Sequence, residues 1–450
     1  RSVIWLLNLD LVLLLVLVIL PVYFIMPQEN NDITSLRKTR EDKLAYGLNS
    51  EISELIKELT EEKDTSYNVE LIKLFGTTRN ISIQKDIINY FTVIESDLLM
   101  DEAVKKIQNR NEENKAVVVN AIRYFSVLNK SSAEELYPLL LEDNEADYRL
   151  EAVKAICETG DKKYTEKLIE IYEKEETEAV KLQILLDIGK LKDSSSSEFL
   201  RNIASDKEME KTYRQYAINS LGQIADEDNF DFLLSAFSEA DPYIRIYALA
   251  AISRYDRKEA DDIILESLKD ENWRIRKEAA TVAGSRKNSN YTDILIYRIE
   301  NDPEEIIRIE ALKALAETGG KEAMDYIKSK AEDSRTSFKI RKLAFMLSIE
   351  KNVSDSLKMI DTVFEKEWNS PNKTLIENFC SELSKIEDPS LEIFFERMLG
   401  HSSVVVKISG IRGIRINKIS SLKDKIKIIS EDKSQSLSVR NAALAALEEL

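Results

Sequence analysis

The feature that most constrains this chain is that it repeats itself. The stretch DPEEIIRIEALKALAETGG, residues 302–320, returns in altered form as DPYIRIYALAAIS (241–253), NWRIRKEAATVAGS (272–285) and DYRLEAVKAICETGD (147–161). The residue heading each apolar set, usually cationic or polar, serves as an anchor. The strongest anchors are Arg149, Lys181, Arg214, Arg245, Arg276, Arg308 and Arg341. The series extends forward to Asn372, Lys407 and Arg440, and backward to Lys115, Gln84 and Ile52. Successive anchors lie 31 to 35 residues apart, about 32 on average. A fixed period of this size is the mark of a solenoid, in which no single unit folds alone.

Apolar or small residues recur three, four and seven positions after the anchors. On a helix of 3.6 residues per turn these offsets form one stripe. Ala311, Leu312 and Leu315 share such a face, as do Ala248, Leu249 and Ile252. The small residue at the first offset allows a neighbouring helix to approach closely. A second amphipathic helix precedes each of these. Examples are YTDILIYRIEN (291–301), NFDFLLSAFSE (229–239), TEKLIEIYEKE (165–175) and SLEIFFERML (390–399). Gly and Asp clusters such as ETGDKK (158–163), ETGGKE (317–322) and LGQIADED (221–228) punctuate the units as helix stops. Each unit therefore reads as a hairpin of helix A then helix B, and stacked neighbours supply the missing core. Residues 405–420, VVKISGIRGIRINKIS, are rich in β-branched residues yet keep the rhythm and read as a B helix.

Composition agrees. With 450 residues, 43% apolar and 32% charged, and only 11 Gly and 7 Pro, the chain is long, helix-prone and able to fill a core.

The pattern Asp-Pro, then Arg, then Ala three after the Arg, resembles the HEAT repeat, in the short bacterial form also found in phycobilin lyases. Asp241-Pro242 with Arg245 and Ala248, and Asp302-Pro303 with Arg308 and Ala311, carry the resemblance, with different Pro-to-Arg spacings. The Trp-x-x-Leu-Gly-x-x-Tyr core of tetratricopeptide repeats is absent. The resemblance implies an all-α fold, a right-handed α-solenoid of about 13 HEAT-like hairpins over residues 36–450. It also implies that the repeated Arg pairs with acids at the turns. Asp241, Glu304, Glu271 and Glu176, four or five residues before their anchors, are the expected partners.

Ahead of the repeats, VIWLLNLDLVLLLVLVILPVYFIM (3–26) is almost wholly apolar and long enough to cross a bilayer of about 30 Å. It predicts a transmembrane helix, followed by a polar linker at 27–35. Trp5 and Tyr23 near its ends suit an interfacial belt, and no Ala-x-Ala pattern follows Met26. The expectation is a single-pass N-terminal anchor with an extracytoplasmic, periplasmic body. Arg37, Lys38, Arg40 and Lys43 argue for the opposite orientation.

Candidate chemistry is sparse. The single histidine, His401, and two cysteines, Cys157 and Cys380, leave no zinc spacing and no His-based triad. Both cysteines fall eight residues after an anchor and read as small core residues, far too distant to pair. His401 follows Gly400 and is placed to help cap a helix. Acidic pairs such as Asp261-Asp262 and Glu304-Glu305 read as solvated faces. No catalytic residue, cofactor or metal site is predicted.

Charge is uneven. The formal net charge is −17, which argues against bulk nucleic-acid binding. Residues 131–210 carry 11 Lys and Arg against 21 Asp and Glu, whereas residues 401–450 carry nine against five. Arg412, Arg415 and Lys418, spaced by three, form a candidate basic row for an anionic partner or ordinary surface bias. Tyr216 and Tyr247 stand two residues after their anchors in adjacent repeats. They form an aromatic step for protein recognition if that offset faces the groove, and core if it faces the neighbouring helix. Leu444 and Leu447 in the last helix need cover, from chain beyond Leu450 or from a partner.

The function expected is a non-catalytic, membrane-anchored scaffold that binds protein partners along the concave, B-helix side. A lyase-like enzyme on the same fold, and an anion- or nucleic-acid-binding solenoid, are the alternatives. No nucleic acid and no small-molecule substrate is expected.

Overall fold

The computed structural model describes residues 36–128 and 135–450. Among the described residues there is no strand. The chain divides into two compact units that meet between Asp226 and Glu227.

The first unit, after a helical turn at 36–46, contains α1 (Asn49–Glu62), α2 (Asn68–Thr77), α3 (Ile81–Val93), α4 (Met100–Gln108), α5 (Lys115–Leu128), α6 (Tyr137–Leu141), α7 (Ala146–Thr159), α8 (Thr165–Lys174), α9 (Glu178–Asp187), α10 (Ser197–Ser205) and α11 (Lys211–Ile224). The second contains α12 (Phe230–Phe237), α13 (Pro242–Ile252), α14 (Lys258–Ser267), α15 (Trp273–Arg286), α16 (Thr292–Asn301), α17 (Glu305–Thr318), α18 (Lys321–Glu332), α19 (Phe338–Lys351), α20 (Val353–Glu367), α21 (Thr374–Leu383), α22 (Glu392–Leu399), α23 (Val404–Ile416), α24 (Lys423–Glu431) and α25 (Leu437–Glu449). Odd-numbered helices are the B members and even-numbered helices the A members. Within each unit every B helix packs on the next B helix, and on an A helix of its own hairpin. The hairpins end where the sequence places stops. Gly160 takes φ +66° at the C-cap of α7, a left-handed turn that glycine adopts without Cβ strain. Asp241, Asn272 and Ser403 accept backbone N–H groups at the starts of α13, α15 and α23.

Eleven of the thirteen predicted anchors are the fourth residue of a B helix. Two expectations are corrected. Lys115 is the first residue of α5 and Asn372 precedes α21; the equivalent fourth residues are Val118 and Glu377. An apolar or acidic residue at the anchor position hid the register. With that correction the offset of three holds Ala121, Ala152, Ala217, Ala248, Ala279, Ala311, Ala344, Cys380, Gly410 and Ala443, all buried. Cys380 thus occupies an alanine's place, while Cys157 lies eight after Arg149; both are buried and free. Burial pushes both thiols up from their ordinary value.

The close approach that small residues allow is visible at the glycines. A Cβ on Gly410 would lie 2.7 Å from Cβ of Met398 and 2.9 Å from the Phe395 carbonyl oxygen. At Gly413 it would meet the Phe395 ring, with Cδ1 at 2.5 Å and Cγ at 2.8 Å. The B helix α23, β-branched as it is, can therefore seat against α22 only with glycine at these positions.

Among the described residues no helix is long and apolar enough to cross a membrane. The longest, α20, has 15 residues, about 22 Å, and is amphipathic. This finding overturns the expected localisation as a single-pass anchored chain with an extracytoplasmic body. The residues on which it rested, 3–26 with the linker 27–35, lie outside the described residues.

Candidate protein-binding grooves

The anchor side chains first decide how repeats lock together. Arg276 on α15 sends Nη1 to the carbonyl oxygens of Asp270 (2.9 Å) and Glu271 (3.0 Å), in the turn just before its own helix. Its Nε and Nη2 grip the Asp302 carboxylate of the following repeat at 2.8 and 2.9 Å. Arg149 on α7 repeats the arrangement, with Nη1 on Asp143 and Asn144 carbonyls and a two-pronged grip on Glu175, both at 2.7 Å. Arg245 reaches Asp270 at 2.5 Å and Arg341 reaches Glu367 at 2.9 Å. The predicted ladder of arginines thus exists, but its partners are corrected. The carboxylates come from the next repeat's turn, 25 or 26 residues ahead, and the preceding turn contributes carbonyl oxygens. Asp241, named as a partner of Arg245, instead caps α13. Where the anchor is not arginine the same contacts persist. Gln84 donates to the Thr78 carbonyl at 3.0 Å, and Glu377 accepts from Ser403 Oγ at 2.6 Å.

These grips set carboxyl protonation. The hydrogen bond from Arg149 holds Glu175 down at about 2 against the opposing effect of its burial. Asp302 is likewise lowered: burial opposes, and Arg276, the Glu304 N–H and Arg298 prevail.

With the anchors turned to the repeat interfaces, other offsets of the B helices are left facing outward. In the second unit a groove of about 620 Å³ crosses α15, α17 and α19. Its floor is Ala280, Gly284, Ala314, Leu343 and Leu347; its rim is Thr281, Ser285, Lys287, Glu310, Lys313, Glu317 and Glu350. In the first unit a groove of about 380 Å³ crosses α1, α3 and α5, lined by Ile56, Lys57, Thr60, Glu61, Lys85, Asp86, Asn89 and Asn120. Both grooves take residues two, five and nine positions after the anchors. At the two-residue offset of α15, the Glu278 carboxyl is pushed up, first by burial and then by Glu310, against Lys277.

The residues singled out from sequence fall as follows. Tyr216 on α11 and Tyr247 on α13 are half-buried and belong to different units. Arg412 is exposed on α23; Arg415, one turn on, reaches Glu449 of α25 at 3.2 Å. Lys418 does not continue the row, because α23 ends at Ile416 and Lys418 turns away with φ +50°. His401 is buried: Nε2 lies 2.9 Å from the Trp368 carbonyl oxygen and Nδ1 accepts the Ser403 N–H at 2.9 Å. Ser403 in turn caps α23, so the predicted capping role is met. Among the described residues no group of three or more His, Cys, Asp or Glu is placed to hold a metal ion.

Sequence reasoning missed Leu343 and Leu347, and it misread Asp261. Far from lying on a solvated face, Asp261 accepts Arg286 Nε at 2.7 Å and the Tyr291 hydroxyl. The available signal was Arg286 itself, a cation at the end of a B helix one repeat ahead.

No curated protein sequence matches the chain. Among solved structures, Kap121p aligns at 12% identity with a TM-score of 0.40, covering 93% of this chain and 54% of its own. Importin beta aligns at 12% identity with a TM-score of 0.41, covering 94% and 67%. The Escherichia coli structural-genomics target YIBA_ECOLI aligns at 17% identity with a TM-score of 0.35, covering 64% and 98%. The chain spans about half the length of the Kap121p chain it aligns with. A family model described as Spirochaete HEAT repeat protein matches residues 44–445. The thirteen B-helix anchors fall within the same span, and the chain belongs to the spirochaete HEAT repeat protein family.

Proposed function

We propose that this chain is a non-catalytic scaffold that binds protein partners along the faces presented by its B helices. The observation that carries the reading is the recurrence of one kind of groove in two separate units. Each spans three successive B helices and draws on the same offsets from the anchors. Mixed charge at regular helical spacing, over an Ala, Gly and Leu floor in the second unit and a more polar lining in the first, suits an extended or helical protein segment, whose side chains find regularly spaced positions. Tyr216 and Tyr247 stand at the two-residue offset that supplies Asp86, Glu310 and Leu343 to the grooves, which favours the recognition branch for both tyrosines. Arg412, five residues after Lys407, stands at the offset of Thr281 and Lys313.

Site-specific photo-crosslinking tests this. A benzophenone side chain at Thr281, Lys313 or Lys57 is expected to trap discrete protein adducts in the native cell. The same group at Tyr297 or Ile393, exposed on A helices, is expected to trap none. A Leu347→Glu change should abolish the Thr281 adduct. Adducts confined to the A-helix positions would refute the reading, as would adducts indifferent to Leu347.

A further inference from the structure

Ahead of the terminal anchor Arg440, whose buried Nε has no partner among the described residues, an internal rung of the arginine ladder is open. Arg308, on α17, makes the usual bonds to its preceding turn, with Nη1 on the carbonyl oxygens of Asp302 (2.5 Å) and Pro303 (3.3 Å). Its Nε and Nη2, the prongs that grip Asp302 from Arg276 and Glu175 from Arg149, find no acceptor among the described residues. The carboxylate that belongs there is present but diverted. Asp333 lies 25 residues after Arg308, as Asp270 lies 25 after Arg245. Both aspartates make the same turn, accepting the backbone N–H two residues on: Asn272 N at 2.7 Å from Asp270, Arg335 N at 3.0 Å from Asp333. The difference is the side chain at that position. Arg335 takes both oxygens of Asp333, Nε at 3.1 Å and Nη2 at 3.2 Å.

The vacancy opens into a cleft of about 540 Å³, where Arg308, Lys330, Arg335, Thr336 and Ser337, together with the already paired carboxylates of Glu300 and Asp333, surround the isoleucines 299 and 340. Lys330 is tied to Glu300, and the hydroxyls of Thr336 and Ser337 have no partner among the described residues. We propose that this cleft is a docking site for a carboxylate of a protein segment, received two-pronged by Arg308 with hydroxyl support from Thr336 and Ser337. The internal rungs show what such a fork accepts: a planar carboxylate with two parallel N–H···O bonds. The cleft lies at the turns between A and B helices. The proposal therefore stands apart from the B-helix grooves, and either can fail alone.

The probe is a fluorescein-labelled hexapeptide bearing two aspartates and an amidated C-terminus, followed by fluorescence anisotropy against the full chain at low ionic strength. Saturable binding is expected. The net charge of −17 repels such a peptide in general, so a local site is needed to hold it. Replacing both aspartates by asparagine should weaken binding about tenfold or more. An asparagine peptide with a free C-terminus separates side-chain from terminal carboxylate: binding restored to that peptide assigns the site to chain ends. Arg308→Ala should lose binding about tenfold or more, and Arg308→Lys, which keeps the charge without the fork, should lose most of it. Arg79→Ala, an exposed arginine elsewhere, should bind as the parent does. Absence of saturable binding overturns the proposal. So does an Arg308→Lys chain that binds like the parent, or an Arg79→Ala chain that loses as much as Arg308→Ala.

Discussion

Replacing Asp302 with alanine strikes a rung whose two partners are both buried, at 7% and 0% side-chain exposure for Arg276 and Asp302. The carboxylate receives four donors: Arg276 Nε and Nη2 at 2.8 and 2.9 Å, the Glu304 N–H at 3.0 Å and Arg298 Nη1 at 3.3 Å. Its removal leaves a guanidinium buried with no anion, which costs about 3–5 kcal/mol. In a solenoid, stability is a sum of repeat and nearest-neighbour contributions, so the loss should be local. Amide hydrogen exchange reports it: protection in α15 and α17 should fall by about a hundredfold or more, with α1 to α5 unchanged. Arg276→Met with Asp302→Leu removes both charges and should restore most of the protection. Arg308→Ala provides the contrast. Arg308 holds carbonyl oxygens but no carboxylate, so its loss should cost about 1 kcal/mol. If Asp302→Ala lowers protection no more than Arg308→Ala does, the ladder does not lock the repeats and the reasoning fails.

Two further outcomes follow from the same contacts. Glu175 is lowered from an ordinary 4.5 to about 2, so the bonds its carboxylate accepts, from Arg149 first and from Thr177, together contribute about 3 kcal/mol that is complete above pH 4.5 and lost as pH falls towards 2. Acid titration of exchange protection in α7 and α9 should show this loss, and Glu175→Gln should flatten it; an unchanged profile counts against the ion pair. Gly413→Ala forces a methyl against the Phe395 ring and should destabilise by about 1–3 kcal/mol in urea unfolding, partly relieved by Phe395→Leu. A neutral Gly413→Ala chain would mean that α22 and α23 do not approach as closely as described.

The sequence by itself determined the period, the helical hairpin and the small-residue column, because all three are local. A stripe recurring every 3.6 residues and a helix start directly after a capping Asp, Asn or Ser need no knowledge of the rest of the chain. It misplaced the anchors at Lys115 and Asn372, since Val118 and Glu377 lack the positive charge that marks most of the others. Only the tertiary structure decided what the arginines hold. Their carboxylates lie about 25 residues ahead, in a turn that one stacked repeat brings beside the next. It also decided which offsets of the B helices line the grooves. The open rung at Arg308 was beyond sequence reading for a related reason. Asp333 stands where a partner belongs, and the loss of that partner rests on a competition with Arg335 that only the folded turn resolves.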